Sequence, residues 1–324
     1  MDVLIGRNGF LGRAIEAQAD KNLVGLGRGD FNLLGAEIPK ITGLAKAKTI
    51  IYTADYYPGI ANTKGDGATI YHTNMAMYKS LFGFAVSVGA SRVITIGTTG
   101  CYPVSDEILS EDMFKGLVER LNPKLVSYAL SRFSLIDMGE IYEREHGIKH
   151  NHLVLGNFYG PGDNFAVGRS HLLGSWVRDF SLAKAGGESE LVLWGPKDQQ
   201  REFIFIDDAA RAVLELAKID VRETVLNVGT GGRVTYEELA HEVLRAIGWA
   251  PKIIWEERPV GRVREVLDVT KFGEYGIEIE ATPLYRGVDL MVEDFNKAHP
   301  EAYNLRLEAH HAKSGRKWVH TGRV

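Results

Sequence analysis

Three residues in the first half of the chain have the types and spacing for carbonyl chemistry. Thr98 follows an apolar stretch, Arg92-Val93-Ile94-Thr95-Ile96, that reads as a strand. Tyr128 and Arg132 stand one turn apart on the next long helical segment and therefore share a face. A hydroxyl at the C-terminal end of a strand, with a phenol and a cation on the adjacent helix, suits hydride transfer to a carbonyl. Tyr128 would protonate the carbonyl oxygen, Thr98 would hydrogen-bond it, and the cation would favour the phenolate.

A second constellation could hold the hydride carrier. The strand-like Val3-Leu4-Ile5 runs into Gly6-Arg7-Asn8-Gly9-Phe10-Leu11-Gly12 and then a helical stretch, Arg13 to Ala19. Glycine can adopt the positive φ of a tight turn, and its missing side chain lets phosphates reach backbone N–H groups at a helix start. Gly12 would allow close packing of helix on strand. Strand, glycine turn and helix in this order predict a dinucleotide site, with contacts from Gly6, Asn8, Gly9, Phe10, Leu11 and Gly12. The second strand ends Leu26-Gly27-Arg28-Gly29-Asp30. Arg28 comes first and can pair with a 2′-phosphate, whereas Asp30 falls past the reach of a ribose, so NADP is favoured and NAD is the alternative.

These residues need a scaffold, and the pattern supplies one. Strand candidates at Val3–Ile5, Leu23–Leu26, Thr49–Tyr52, Arg92–Ile96 and His152–Leu155 alternate with helical segments near Ile70 to Val88 and Ser127 to Glu145. Such alternation predicts an α/β fold with a doubly wound parallel sheet of Rossmann type, ligands lying at the strands' C-terminal edge. Regularity weakens after Tyr159-Gly160-Pro161-Gly162-Asp163. A strand is expected over Glu202–Ile206, a helix over Asp207–Leu216, and another over Thr235–Ile247 with Thr235 as its N-cap. The expected division is a dinucleotide-binding domain, 1–165 with about 203–230, and a smaller α/β substrate domain, 166–202 with about 231–324.

Composition narrows the classes. The chain has 324 residues, 45% of them hydrophobic, and a formal net charge of −4, which gives no general attraction for nucleic acid or anionic membranes. The sequence leaves room for a local basic patch, especially in the tail from Lys313 to Arg323. The single cysteine, Cys101, excludes an intramolecular disulfide and a multi-cysteine zinc site. His150 with His152, and His310 with His311, lack the carboxylates that would specify a metal, so no metal is expected. Asp106, Glu107, Glu111 and Asp112 read as a solvated acidic loop. No apolar run approaches the ~18 residues of a membrane span, and a cytoplasmic protein is the expectation.

The sequence resembles the extended short-chain dehydrogenase/reductase family, of NAD-dependent epimerase/dehydratase type. The resemblance rests on Asn157-Phe158-Tyr159-Gly160-Pro161-Gly162-Asp163-Asn164-Phe165, Ser170-His171, Leu193-Trp194-Gly195, Arg201-Glu202-Phe203 and Leu267-Asp268-Val269-Thr270. It implies an enzyme that uses NADP(H) to epimerise and reduce a 4-keto nucleotide-diphosphate sugar. By position, Thr98 and Tyr128 fall on the family's hydroxyl and tyrosine, and His171 on the acid of its epimerisation pair. Asn157, Arg178 and Arg201 fall on substrate positions, and Trp194 beside the nucleotide. Two departures stand out. Arg132 replaces a lysine, keeping the charge and the contact with the cofactor ribose but unable to relay a proton. Gly100 replaces a cysteine, and Cys101, one place later on an expected extended segment, would face away as a small buried hydrophobe. The family's dehydratases carry Asp-Glu where this chain has Thr99-Gly100, which disfavours that activity.

The sequence thus predicts an NADP-dependent nucleotide-sugar reductase or epimerase. A non-catalytic nucleotide-sugar or dinucleotide-binding protein is the second reading. The resemblance also implies a homodimer built on the two long helices, which carry Met75, Met77, Leu81, Phe82, Phe84, Leu130, Phe133, Leu135 and Ile136; some of these must face the sheet, and the sequence does not divide the two sides.

Overall fold

The computed structural model describes residues 1–35, 37–39, 41, 44, 47–58, 66–114, 121–256, 263–277 and 279–299. The tail carrying His310, His311 and Lys313 to Arg323 lies outside them.

The chain opens with β1 (Asp2–Ile5), α1 (Phe10–Gln18), β2 (Leu23–Leu26), β3 (Thr49–Tyr52), α2 (Gly67–Val88), β4 (Arg92–Thr98), α3 (Val126–His146) and β5 (Lys149–Leu155). It continues through β6 (Asn157–Tyr159), α4 (Leu172–Ala185), β7 (Glu190–Trp194), β8 (Gln200–Arg201), β9 (Phe203–Phe205), α5 (Ile206–Lys218) and β10 (Val225–Val228). It closes with β11 (Val234–Thr235), α6 (Tyr236–Ile247), β12 (Lys252–Glu256), β13 (Arg264–Glu265), α7 (Thr270–Gly273) and α8 (Leu284–Ala298).

A six-stranded sheet in the order β10-β5-β4-β3-β1-β2 forms the centre, every neighbouring pair parallel. The order reverses between β1 and β3, and such a switch point opens a crevice at the strands' C-terminal ends. All of β3 and nearly all of β4 and β5 is buried, as expected for strands covered on both faces. One core joins Val3, Ile5 and Tyr52 to Phe82 and Phe84 of α2. The other runs from Leu4 and Ile51 through α5 to Trp176 of α4, Leu239 of α6 and Met291 of α8. The smaller layer contains the parallel pair β7–β12 and the three-stranded β11-β8-β13. No helix among the described residues is long and apolar enough to cross a membrane.

The Rossmann-type α/β fold read from the sequence is the one observed, with element ends shifted by a few residues. Helix α1 begins at Phe10, not Arg13, because Gly9 already serves as its N-cap. The expected Thr235 cap is a full capping box: its hydroxyl accepts from Glu238 N at 3.1 Å while Glu238 Oε2 accepts from Thr235 N at 2.8 Å. Of the apolar residues carried by the two long helices, Met77, Leu81, Phe82, Phe84, Phe133, Leu135 and Ile136 face the protomer's own core. An interface on α2 and α3 would draw on partly or fully exposed residues such as Met75, Leu130 and Ile141. One expectation fails: Glu111 is no part of a solvated loop. It is buried, accepts from Asn227 N at 3.0 Å and pairs with Lys271 at 3.5 Å.

Candidate active site

The glycine turn lies at the switch point and leaves no room for side chains. Gly6 has φ +100°, and a Cβ there would sit 2.6 Å from Thr53 Oγ1 and 2.9 Å from Ala54 N. A Cβ on Gly12 would meet the Gly6 carbonyl oxygen at 2.1 Å, so only glycine lets α1 approach β1 this closely. Gly9 caps α1 without a side-chain hydrogen bond, leaving the first-turn backbone N–H groups for an anion. Phe10 is half-buried against Phe158, ring centroids 5.8 Å apart, while Leu11 is core and Asn8 is exposed. Beyond β2, Asp30 folds back so that its carboxylate accepts from Gly27 N at 2.9 Å. Arg28 is exposed and among the described residues has no ion-pair partner. The turn fits a dinucleotide.

Tyr128 and Arg132 are brought together as their spacing requires. Arg132 donates to the Tyr128 hydroxyl from Nη2 at 3.0 Å and from Nε at 3.3 Å. Its guanidinium carbon lies 5.3 Å from the Tyr128 ring centroid. The same Nη2 forms an ion pair with Asp55, which follows β3. The other Asp55 oxygen accepts from Tyr78 Oη of α2 at 3.3 Å. Burial, with Asp55 adding to it and Arg132 opposing, holds the Tyr128 phenol well above the ordinary tyrosine range. Burial alone would weaken the Arg132 cation, but Asp55 and the phenols of Tyr128 and Tyr78 keep it firmly protonated. Nη1 of Arg132 is buried without a hydrogen-bond partner among the described residues. A buried orphan donor of this kind is what a ribose hydroxyl satisfies.

Thr98 ends β4 and is half-buried, its hydroxyl accepting from Gly100 N at 3.4 Å. Residues Thr99–Cys101 form a 3₁₀ turn and not the extended segment expected. The strand-alternation argument therefore does not apply there, yet its outcome stands: Cys101 is fully buried, packed in a cluster with Tyr102, Phe114 and Tyr128. Thr99 donates to Glu265, and Glu265 pairs with Arg201 at 3.5 Å. Beside Glu265 opens a cavity of ≈ 300 Å³ lined by Ile108, Gly231, Gly232, Arg233, Arg264 and Val266.

The remaining sequence-derived residues are less directly placed. Arg178 pairs with Asp179 at 2.6 Å and donates to Phe165 O and Ser170 Oγ, so in this structure it braces the loop leading to His171. His171 is exposed at the N-cap of α4, within electrostatic reach of the buried Asp163 carboxylate. Asn157 donates to Glu202 O at 3.0 Å, joining β6 to β9, and Trp194 is half-buried at the end of β7. Glu202 is fully buried and accepts from the backbone N–H groups of Thr230, Gly231 and Leu267. Among the described residues no His, Cys, Asp and Glu group could hold a metal ion.

Sequence reasoning missed Asp55, Tyr78 and Glu265. Asp55 carried one signal, a carboxylate just past the C-terminal end of an apolar strand, where ligand-facing loops begin.

The sheet order, the glycine turn and the Tyr128–Arg132 pair agree with one further finding: the NAD dependent epimerase/dehydratase family matches residues 3–229. The chain belongs to this family. Membership bears out the expectation of an enzyme that works with a nicotinamide dinucleotide. GDP-L-fucose synthase of Escherichia coli K12 is 27% identical over 290 residues, spanning 84% of this chain and 89% of that protein. A probable GDP-L-fucose synthase 1 of Oryza sativa subsp. japonica is 31% identical over 74% of this chain and 71% of its own length. Among solved structures, a GDP-L-fucose synthetase from Naegleria fowleri bound to NADP superposes with a TM-score of 0.79 at 19% identity, covering 93% of this chain and 95% of that one. A GDP-6-OMe-4-keto-L-xylo-heptose reductase from Campylobacter jejuni gives 0.78 at 22%, covering 92% and 98%. These two structural likenesses establish the fold.

Proposed function

We propose that this family member is an NADP-dependent reductase of a 4-keto sugar carried on a nucleoside diphosphate, with Tyr128 as proton donor. The observation that carries the reading is the Tyr128 phenol, buried, protonated and held at 3.0 Å by Arg132 beside the C-terminal end of β4. NADPH, when bound, supplies the hydride. Tyr128 Oη gives its proton to the oxygen of the reacting carbonyl, and the Thr98 hydroxyl orients that oxygen. Arg132 Nη1 would hold the nicotinamide ribose, and Arg28 would hold the 2′-phosphate. The names of the relatives support a GDP-sugar as the substrate. The cavity beside Glu265, with Arg233 and Arg264 on its wall, suits the diphosphate.

Reduction is favoured over epimerisation. Acid–base work at a carbon next to the ketone needs a second group facing the sugar, and the one cysteine is in the core. Position 100 has no side chain to take its place.

The test is incubation of a GDP-4-keto-sugar with NADPH in D₂O. NADPH oxidation without deuterium uptake at C3 or C5 is expected, and Tyr128→Phe should slow it by about 10²–10⁴. Unchanged turnover in Tyr128→Phe would sink the mechanism. Binding of both ligands without any hydride transfer would favour the non-catalytic reading.

A further inference from the structure

Asp55 stands outside the sequence-derived site, yet it touches the centre of it. It lies on the segment after β3 and pairs with Arg132 of α3, while Tyr78 of α2 holds its second oxygen. Three separate elements therefore fix one carboxylate against one guanidinium, both largely shielded from water. A buried guanidinium by itself pulls a neighbouring phenol towards phenolate, and a carboxylate pushes it back. In this site the two charges are in direct contact, so the field of Asp55 at Tyr128 opposes that of Arg132.

We infer that Asp55 is a positioning residue of the proton-donor site: it fixes Arg132 on Tyr128 and, by opposing the guanidinium's charge, lets burial keep Tyr128 in the proton-donating form. The inference rests on Tyr128 being the donor, as proposed above. Arg132 then acts as a held hydrogen-bond donor whose charge is opposed. The groups facing the phenol are few. Arg132 comes from its own helix, Asp55 and the Tyr57 ring from the segment after β3, Tyr78 from α2, and Cys101 from the turn after β4. Behind them His152 of β5 is held neutral by burial and by Arg132, and adds no charge. Asp55 is the sole carboxylate acting on Tyr128 among the described residues. A phenol kept protonated serves reduction, in which the Tyr128 O–H bond breaks as a new O–H bond forms on the substrate oxygen. Oxidation of the alcohol needs the phenolate and is held back near neutral pH.

The experiment is an ultraviolet titration of tyrosine ionisation in the cofactor-free, full-length protein. Asp55→Asn keeps the shape and removes the opposing charge. One phenol should then ionise at a pH lower by about 1–3 units than in wild type, and it should vanish in Asp55→Asn/Tyr128→Phe. An unchanged titration, or a shift that survives the second substitution and so belongs to Tyr78 or Tyr52, overturns the inference. If Asp55→Asn does not fold, Asp55→Asn/Arg132→Gln removes both charges and should titrate no lower than wild type; a downward shift there overturns it too. The outcome is independent of the reductase assay. A shifted phenol in a protein that never oxidises NADPH would retain Asp55's role and discard the proposed activity. An active enzyme with an unmoved phenol would do the reverse. In an active enzyme, the high-pH limb of the reduction rate should move down with the titration in Asp55→Asn.

Discussion

Arg28, exposed past β2, and three arginines drawn in from solvent are built on opposite terms. Arg28 has no ion-pair partner among the described residues. Arg132, Arg178 and Arg201 each meet a carboxylate: Asp55, Asp179 and Glu265. The difference follows from solvation. A surface cation keeps its water until a phosphate replaces it, whereas a cation withdrawn from water is stable only if something nearby offsets its lost hydration. Arg132, Arg178 and Arg201 are therefore oriented donors whose charge is matched, buried Arg92 is held instead by Asn151 and two backbone carbonyls, and exposed Arg28 remains available as a charge. Counting cations in a sequence treats the two kinds alike.

Breaking an interior pair should have the largest effect. Arg132→Ala strands Asp55 among buried groups and should cost about 3–5 kcal/mol of stability, read from urea unfolding at neutral pH. A cost near zero would mean that Asp55 stays hydrated and that the pair is not the closed unit described. The exposed arginine should behave the other way. Arg28→Ala should leave unfolding within about 0.5 kcal/mol of wild type, yet weaken NADP binding by about 1.5–3 kcal/mol, tenfold to a hundredfold. NAD binding should barely change, and equal losses for both cofactors, measured by calorimetry, would remove Arg28 from the phosphate site.

A buried ionisable group without a carboxylate sharpens the contrast. His152 bonds through Nδ1 with Thr95 Oγ1 at 2.8 Å, and burial, then Arg132 and His150, push its pKa well below the ordinary histidine value. The unfolded chain therefore takes up the proton first, near pH 6.5. Stability should be complete above that pH and fall as the pH drops below it, at up to about 1.4 kcal/mol per pH unit from this residue. Unfolding curves collected across this range should show a shallower slope in His152→Asn, and an identical slope would mean that His152 is charged when folded. The smallest effect is expected at the start of α6. Thr235→Ala removes the hydroxyl half of the α6 capping box and should cost about 1 kcal/mol, with cofactor binding untouched.

Legibility in the sequence followed the range of the interactions. The glycine turn was readable because its requirement is local: Gly6 takes a positive φ, and a Cβ on Gly12 meets the Gly6 carbonyl within one strand–turn–helix unit. Tyr128 and Arg132 were readable for the same reason, being one helical turn apart. The acidic partners were not. Asp55 and Glu265 are separated in the chain from the arginines they hold, and nothing in their immediate neighbours marks a carboxylate that will be buried beside a cation. Glu111 misled for the same reason, since its local surroundings are acidic and polar while its partners, Asn227 and Lys271, arrive from distant elements. The two long helices left a different question open. Their apolar residues were plain to see, but which side of each helix meets the sheet is a property of packing.

The sequence by itself determined the alternation of strands and helices, the tight turn at the dinucleotide site, the phenol–cation pair and the α6 cap, because each depends on residues a few positions apart. Tertiary structure alone decided the charge state of the site. Whether Arg132 presents a free positive field or a charge-matched donor depends on Asp55 arriving from the neighbouring strand, and whether Cys101 faces the substrate or the core depends on a 3₁₀ turn packed against α3. Electrostatic effects in a water-poor interior are set by which charges come into contact, and contact between distant segments exists only once the sheet has assembled.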